Sequence, residues 1–129
     1  MLSAAFYTAT ACYLLRYVFL PSILDIDKLY GCAAVYLLLA VLWTYLYAIA
    51  QHFFPGAFAA GGNARDALSI ADLLHYSFAV QTTTGFGDIV PVLASARSLT
   101  MEQEAIGVLY IAILVARFAG VYTQERPDA

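Results

Sequence analysis

The stretch from Leu29 to Ala50 constrains the fold more than any other part of this chain. Its 22 residues, LYGCAAVYLLLAVLWTYLYAIA, contain no charged side chain. A helix of that length rises about 33 Å, enough to cross a hydrocarbon core of about 30 Å. Trp43, Tyr45 and Tyr47 lie in its second half, as expected of an aromatic belt at the membrane surface. The stretch therefore predicts a transmembrane helix.

Two further apolar segments are long enough to cross a membrane. The segment Leu2–Leu20 lacks the basic start and the short apolar core of a secretory signal, so we predict a membrane helix there as well. The segment Leu99–Tyr122 is uncharged in its middle, with Glu102 and Glu104 near one end and Arg117 near the other. It predicts a helix whose polar ends have a role.

The composition agrees with a membrane protein. Charged residues make up 12% of the 129-residue chain and the mean hydropathy is +0.77, whereas a soluble domain carries about 25% charged residues. The net charge of −3 and the lack of a basic cluster exclude nucleic acid as an expected partner. Cys12 and Cys32 lie in apolar segments, so we expect packing residues. No catalytic constellation occurs in the chain, and we expect no enzyme.

A different kind of segment separates the second and third apolar stretches. Ser69, followed three residues later by Asp72, predicts the start of a helix that ends at about Val80. This helix is too short to cross a bilayer. It leads into TTTGFGDIVP, Thr82–Pro91, which cannot form a lipid-facing helix. Irregular backbone at membrane depth must be buried in protein or line water, so the segment predicts a re-entrant loop.

The re-entrant segment is rich in groups that can replace the hydration shell of an ion. Carbonyl oxygens in successive rings do this without a fixed charge. Gly85 and Gly87 allow backbone conformations that other residues resist, so that consecutive carbonyls can point the same way. One chain supplies only one wall of such a pore, and several chains must therefore surround an axis.

The six residues TTGFGD, Thr83–Asp88, resemble the T-V-G-Y-G-D selectivity filter of tetrameric potassium channels. The longer stretch Leu29–Tyr122 resembles the pore domain of the small bacterial members of that family, which have two transmembrane helices. The resemblance implies an all-α membrane protein with an outer helix, a re-entrant pore helix, a filter and an inner helix, assembled as a homotetramer with three identical subunits. It implies potassium ions as the permeant species, with no organic cofactor. The residues implied to bind the ions are Thr83, Thr84, Gly85, Phe86 and Gly87, and Asp88 is implied to lie at the outer mouth.

Two residues depart from the usual filter. Thr84 stands where valine is usual, and its hydroxyl needs a hydrogen-bond partner behind the filter. Phe86 stands where tyrosine is usual and cannot donate a hydroxyl hydrogen bond. We expect Tyr76 to compensate by packing, as a support of the filter.

Two residues of the third apolar segment have open alternatives. Glu104 is either a carboxylate near the filter or cavity that attracts cations, or a hydrogen-bonded residue near the membrane surface. Gly107 lies about where the resemblance places a hinge glycine, but a glycine also allows close helix packing.

The predicted organisation has two parts. Residues 1–24 form an extra N-terminal transmembrane helix, and residues 25–129 form the pore domain. Within the pore domain we predict an outer helix at 28–51, an extracellular loop at 52–66, a pore helix at 67–81, a filter at 82–88 and an inner helix at 98–122. We leave open whether upstream or regulatory segments exist outside this chain.

The expected location is a bacterial inner membrane, in contact with lipid and with the C-terminus in the cytoplasm. The resemblance places the filter near the outside, and the distribution of Lys and Arg agrees with the positive-inside rule. Two other functions stay open: a non-selective monovalent cation channel, and a non-conducting membrane interaction protein with the same fold.

Overall fold

The computed structural model describes residues 9, 10, 13, 16, 26–61 and 67–124. Within these ranges the long elements are α1 (Ile26–Phe53), α2 (Ile70–Gln81) and α3 (Ala94–Gln124), and two short strands are β1 (Phe58–Ala60) and β2 (Ile89–Pro91). The predicted N-terminal membrane helix, residues 1–24, lies outside the described residues apart from four positions.

Two of the helices are long and apolar enough to cross a membrane. The candidate spans are Tyr30–Phe53, with 24 residues, and Ala94–Gly120, with 27 residues. The 12-residue α2 lies between them in the chain and packs against both. The prediction of an all-α membrane fold with a short helix between two spanning helices is confirmed.

Five of the six helix bounds differ from the predicted ones by two to four residues, and the predicted end of the pore helix at residue 81 agrees. The predicted pore helix 67–81 begins only at Ile70, because Ser69 has the extended backbone of an N-cap (φ −70°, ψ 163°). The predicted inner helix 98–122 begins earlier, at Ala94, where the amide of Arg97 already bonds to the Leu93 carbonyl. The predicted outer helix 28–51 runs from Ile26 to Phe53.

The start of α2 is a capping box, as the spacing of Ser69 and Asp72 suggests. The Ser69 Oγ accepts from the Asp72 amide at 3.2 Å, and the Asp72 carboxylate accepts from the Ser69 amide at 3.0 Å. The hydrogen bonds from the Ser69 side chain, and then from its backbone, hold the pKa of Asp72 below its usual value. The box therefore fixes where the short helix begins.

A two-stranded antiparallel sheet joins the segment after α1 to the segment after the filter. Phe58 pairs with Pro91, and Ala60 pairs with Ile89. The sequence analysis predicted an extracellular loop at 52–66 and no strand after the filter, so it missed this sheet. Strands of three residues leave too short a pattern to be recognised in a sequence.

The helices pack through two core clusters. In the first, the rings of Tyr47, Phe58 and Tyr76 meet with centroids 5.1–5.4 Å apart. The second contains Cys32, Val35, Leu39 and Tyr110, from α1 and α3. The first cluster fixes α2 against the two spanning helices, and so determines where the segment after α2 lies. Its buried residues are Trp43, Tyr47, Ala50, Ala57, Phe58, Leu73, Tyr76, Val80, Ile89 and Ala96.

Candidate functional site

The backbone of the segment after α2 alternates in the sign of φ. Thr83, Gly85 and Gly87 have φ of 57°, 55° and 76°, whereas the residues between them do not have positive φ. Among the described residues, Thr83 is the only non-glycine with positive φ. This conformation costs a residue with a Cβ roughly 1–2 kcal/mol, so other contacts must hold Thr83 in place.

Hydrogen bonds to the last turn of α2 hold this backbone. The amide of Thr83 donates to the Val80 carbonyl at 3.0 Å, and the next two amides share the Ala79 carbonyl at 2.9 and 3.2 Å. Since a trans peptide is planar, its carbonyl points opposite to its N–H, and no described peptide is cis. The carbonyls of residues 82–84 therefore point away from the last turn of α2.

The hydroxyl of Thr84 has the partner that the sequence analysis required. The Thr82 Oγ1 donates to the Phe78 carbonyl at 2.7 Å and lies 2.8 Å from the Thr84 Oγ1. Since the single Thr82 proton goes to Phe78, the Thr84 hydroxyl donates to Thr82. The two threonines thus tie the segment to α2 through side chains as well as amides.

The other end of the segment is held by His75. Its Nε2 lies 2.9 Å from the Asp88 carboxylate, and its ring stacks on Phe86 with a centroid distance of 5.4 Å. Both side chains are about half exposed, at 48% and 53%. The aromatic ring beside Phe86 is thus that of His75, which precedes Tyr76 by one position.

Tyr76 lies in the first core cluster instead. It is 5% exposed and packs against Tyr47 and Phe58. The Thr100 hydroxyl donates to the Ala96 carbonyl, so the Tyr76 hydroxyl donates to Thr100 at 2.8 Å. Tyr76 therefore packs on rings of α1 and β1 and holds α2 in position. Its role as a support of the filter stays a prediction.

Glu104 lies in a groove that runs from the filter to α3. The groove has a volume of about 640 Å³, and Thr83 and Gly85 form part of its wall. The Glu104 side chain is exposed. Glu104 thus shares a groove with Thr83 and Gly85, and both alternatives for its role stay predictions. The other lining residues are mostly apolar: Ala79, Val80, Met101, Ala105 and Val108.

Gly107 is buried where α3 crosses the end of α2. A Cβ added to it would lie 2.9 Å from the Gln81 carbonyl oxygen and 3.2 Å from the Gln81 Cγ. Contacts under 3.0 Å are essentially never made by real Cβ atoms. Close helix packing is therefore one role of this glycine, and its role as a hinge stays a prediction.

The comparison with protein families decides the class of the protein. A family model described as an ion channel matches residues 31–124, well over half of the chain. The chain belongs to this two-transmembrane-helix, pore-loop ion channel family. The protein is accordingly an ion channel of a membrane, in which α1 is the outer helix, α2 the pore helix and α3 the inner helix. No curated protein and no solved structure matches the chain.

The channel contains a buried polar network that the sequence analysis missed. The Gln103 Nε2 of the inner helix lies 2.8 Å from the Ser77 Oγ, 3.0 Å from the Ser77 carbonyl and 3.1 Å from the Gln81 Oε1. The Tyr47 hydroxyl donates to the Gln103 Oε1 at 2.5 Å. Every buried side-chain nitrogen and oxygen of the described residues has a partner.

Gln81 extends this network to the outer helix. Its side-chain Nε2 donates to the backbone carbonyl of Tyr36, and its backbone carbonyl accepts from the Tyr36 hydroxyl at 2.9 Å. Gln81 and Gln103 are 2% and 0% exposed. The sequence did contain a signal for this network. A glutamine inside or beside an apolar segment has an amide side chain that must find a hydrogen-bond partner at membrane depth. The identity of that partner depends on how the helices pack.

Proposed function

We propose that the protein is one of four identical subunits of a potassium channel, which conducts K⁺ down its gradient through a filter of backbone carbonyls. The observation that carries this proposal is the set of three consecutive carbonyls, at residues 82–84, that point away from the pore helix. Carbonyl rings of this kind can replace the water around a potassium ion.

The exposure of the filter supports assembly around an axis. Residues 82–88 are all exposed in the single chain, and Phe86 is 66% exposed. Irregular backbone with free carbonyls is not stable against lipid. Further copies of the chain would bury the groove beside Glu104 and leave the carbonyls facing ions and water. Channels of this family are generally oligomeric.

The choice of potassium rests on the resemblance of Thr83–Asp88 to a potassium filter, and on the backbone that this motif adopts here. Thr84 and Phe86 differ from the usual residues, which favours a non-selective cation channel as the second candidate. We further propose a bacterial inner membrane, with Asp88 outside and the C-terminus in the cytoplasm.

The decisive experiment is ion flux into liposomes that contain the purified protein. Potassium and sodium gradients are compared, and barium is added as a blocker. The proposal expects barium-sensitive potassium flux with little sodium flux. Equal fluxes would favour the non-selective channel. No flux in either salt, together with a monomer or dimer in mild detergent, would favour the non-conducting interaction protein.

A pair of glycine variants tests the filter assignment. Gly85 and Gly61 have nearly equal φ, +55° and +56°, and a Cβ added to either meets no atom within 4 Å. Both Gly→Ala changes therefore carry the same backbone strain, roughly 1–2 kcal/mol. Only Gly85 belongs to the filter, so Gly85→Ala should abolish flux while Gly61→Ala retains it. Normal flux in Gly85→Ala would contradict the assignment.

A further inference from the structure

Gln81 occupies the junction between the filter and all three helices. It is the last residue of the pore helix, and the next residue, Thr82, begins the filter. It exchanges two hydrogen bonds with Tyr36 of the outer helix and accepts one from Gln103 of the inner helix. The backbone of Gly107 leaves the space that the Gln81 carbonyl occupies.

The filter depends on this junction because its own conformation is strained. Thr83 keeps a positive φ only while the amides of residues 83–85 stay bonded to the last turn of the pore helix. That turn ends at Gln81. A binding site of carbonyl oxygens must hold its geometry to about 0.5 Å, and such precision requires residues whose own positions are fixed by buried hydrogen bonds.

We propose that the amide contact between Gln81 and Gln103, held from the other side by Tyr36, is the positioning device that sets the ion selectivity of the filter. The proposal rests on the proposed function, in which residues 82–88 conduct ions. Its physical basis is that hydrogen bonds are directional, whereas apolar contacts allow helices to slide. Without the amide contact, the pore helix would keep its apolar packing but lose the fixed end from which the filter starts.

The mildest test removes a single hydroxyl. Tyr36→Phe deletes the bond to the Gln81 carbonyl and keeps the ring. Tyr110→Phe is the matched control, because the Tyr110 hydroxyl also donates to a backbone carbonyl of another helix, that of Cys32 at 2.7 Å, and does not bond to Gln81; the stacking of the Tyr36 and Tyr110 rings, 5.8 Å between centroids, is kept in both variants. We expect the permeability ratio of potassium to sodium to fall several-fold in Tyr36→Phe and to stay unchanged in Tyr110→Phe. Equal ratios in both variants would overturn the proposal.

The stronger test removes the amides. Gln103→Met and Gln81→Met keep the side-chain length but not the side-chain hydrogen bonds. Each should lower the permeability ratio about tenfold, and the double variant should lower it by less than the two single effects combined, because either single variant already removes the contact between the two amides. The control is Gln51→Met, since Gln51 makes two bonds to the backbone of Leu68, at 2.9 and 3.0 Å, away from the filter. Additive effects, or the same loss in Gln51→Met, would contradict the proposal.

Amide hydrogen exchange separates this proposal from the proposed function. The amides of residues 83–85 should exchange faster in Tyr36→Phe than in Tyr110→Phe, whatever ion the channel prefers. If the wild-type protein shows no preference for potassium, the proposed function fails, and the exchange rates alone decide whether Gln81 and Gln103 position the filter. Unchanged exchange of these amides would overturn the positioning role.

Discussion

Gly107→Ala is the change whose effect follows most directly from the structure. The added Cβ would lie 2.9 Å from the Gln81 carbonyl oxygen, which is a backbone atom and cannot move without the pore helix. The contact needs to open by about 0.5 Å to reach an ordinary distance, and overpacking of this kind typically costs 1–3 kcal/mol. Alanine also favours the helix over glycine by about 1 kcal/mol. We therefore expect a net loss of up to about 2 kcal/mol.

Gly120→Ala isolates the cost of the contact. Gly120 lies in the same helix, and a Cβ added there meets no atom within 4 Å. This variant should gain up to about 1 kcal/mol from helix propensity alone. The difference in the free energy of unfolding between the two variants is then the cost of separating α3 from the pore helix, about 1–3 kcal/mol.

The assay is reversible unfolding in mixed detergent micelles, with flux measured on the same preparations. Gly107→Ala should unfold at a lower denaturant concentration than Gly120→Ala and should select potassium less well, because Gln81 is displaced. If the two variants are equally stable, Gly107 is not closely packed against Gln81. If Gly107→Ala is less stable but keeps full selectivity, the contact supports the fold without affecting the filter.

Three smaller perturbations complete the set. Glu104→Gln should lower single-channel conductance at low potassium concentration but not at high salt, since a carboxylate beside the filter concentrates cations and salt screens it. If the variant and the wild type conduct equally at both concentrations, Glu104 lies away from the ion path. Ser69→Ala should lower the free energy of unfolding by about 1 kcal/mol through loss of the cap, which thermal unfolding measures. Because the folded pKa of Asp72 is lowered, the contribution of this capping box should be present above the ordinary pKa of 3.8 and be lost as the pH falls through the lower folded value. His75→Phe keeps a ring but removes the bond to Asp88; a contact between side chains this exposed is worth at most about 1 kcal/mol, so denaturant unfolding should show a loss of stability no larger than that, and a larger loss would show that the contact does more than tie down the end of the segment.

The sequence was sufficient for the elements whose cause is local. The uncharged run from Leu29 to Ala50 requires a membrane-spanning helix by length alone, and Ser69 with Asp72 locates the start of the short helix. The glycines at 85 and 87 indicate where the backbone takes positive φ. Thr83 adopts the same conformation, but its side chain carries no signal for it, because the pore-helix carbonyls impose that conformation.

Contacts between elements could not be read from the sequence. Tyr76 was expected to compensate for Phe86 by packing; the helix turns its ring toward Tyr47, and the ring that lies beside Phe86 is that of His75. Adjacent residues on a helix point about 100° apart, so an error of one position exchanges a core residue for an exposed one. A sequence without a structure gives no means of choosing between two neighbouring aromatic rings.

The distribution of buried polar side chains indicates which part of the fold is held in a fixed position, namely the pore helix. The described residues include five buried polar side chains, and all of them belong to or bond with groups around the pore helix: Thr44, Ser77, Gln81, Thr100 and Gln103. Thr44 and Ser77 share the Ala40 carbonyl, and Thr100 bonds to Tyr76. The second core cluster, in contrast, is apolar except for the Tyr110 hydroxyl. Two helices that only anchored a protein in lipid would be stable with apolar packing alone. In the proposed channel a ring of carbonyls must keep its geometry, which gives a reason for directional bonds around the pore helix from which that segment starts.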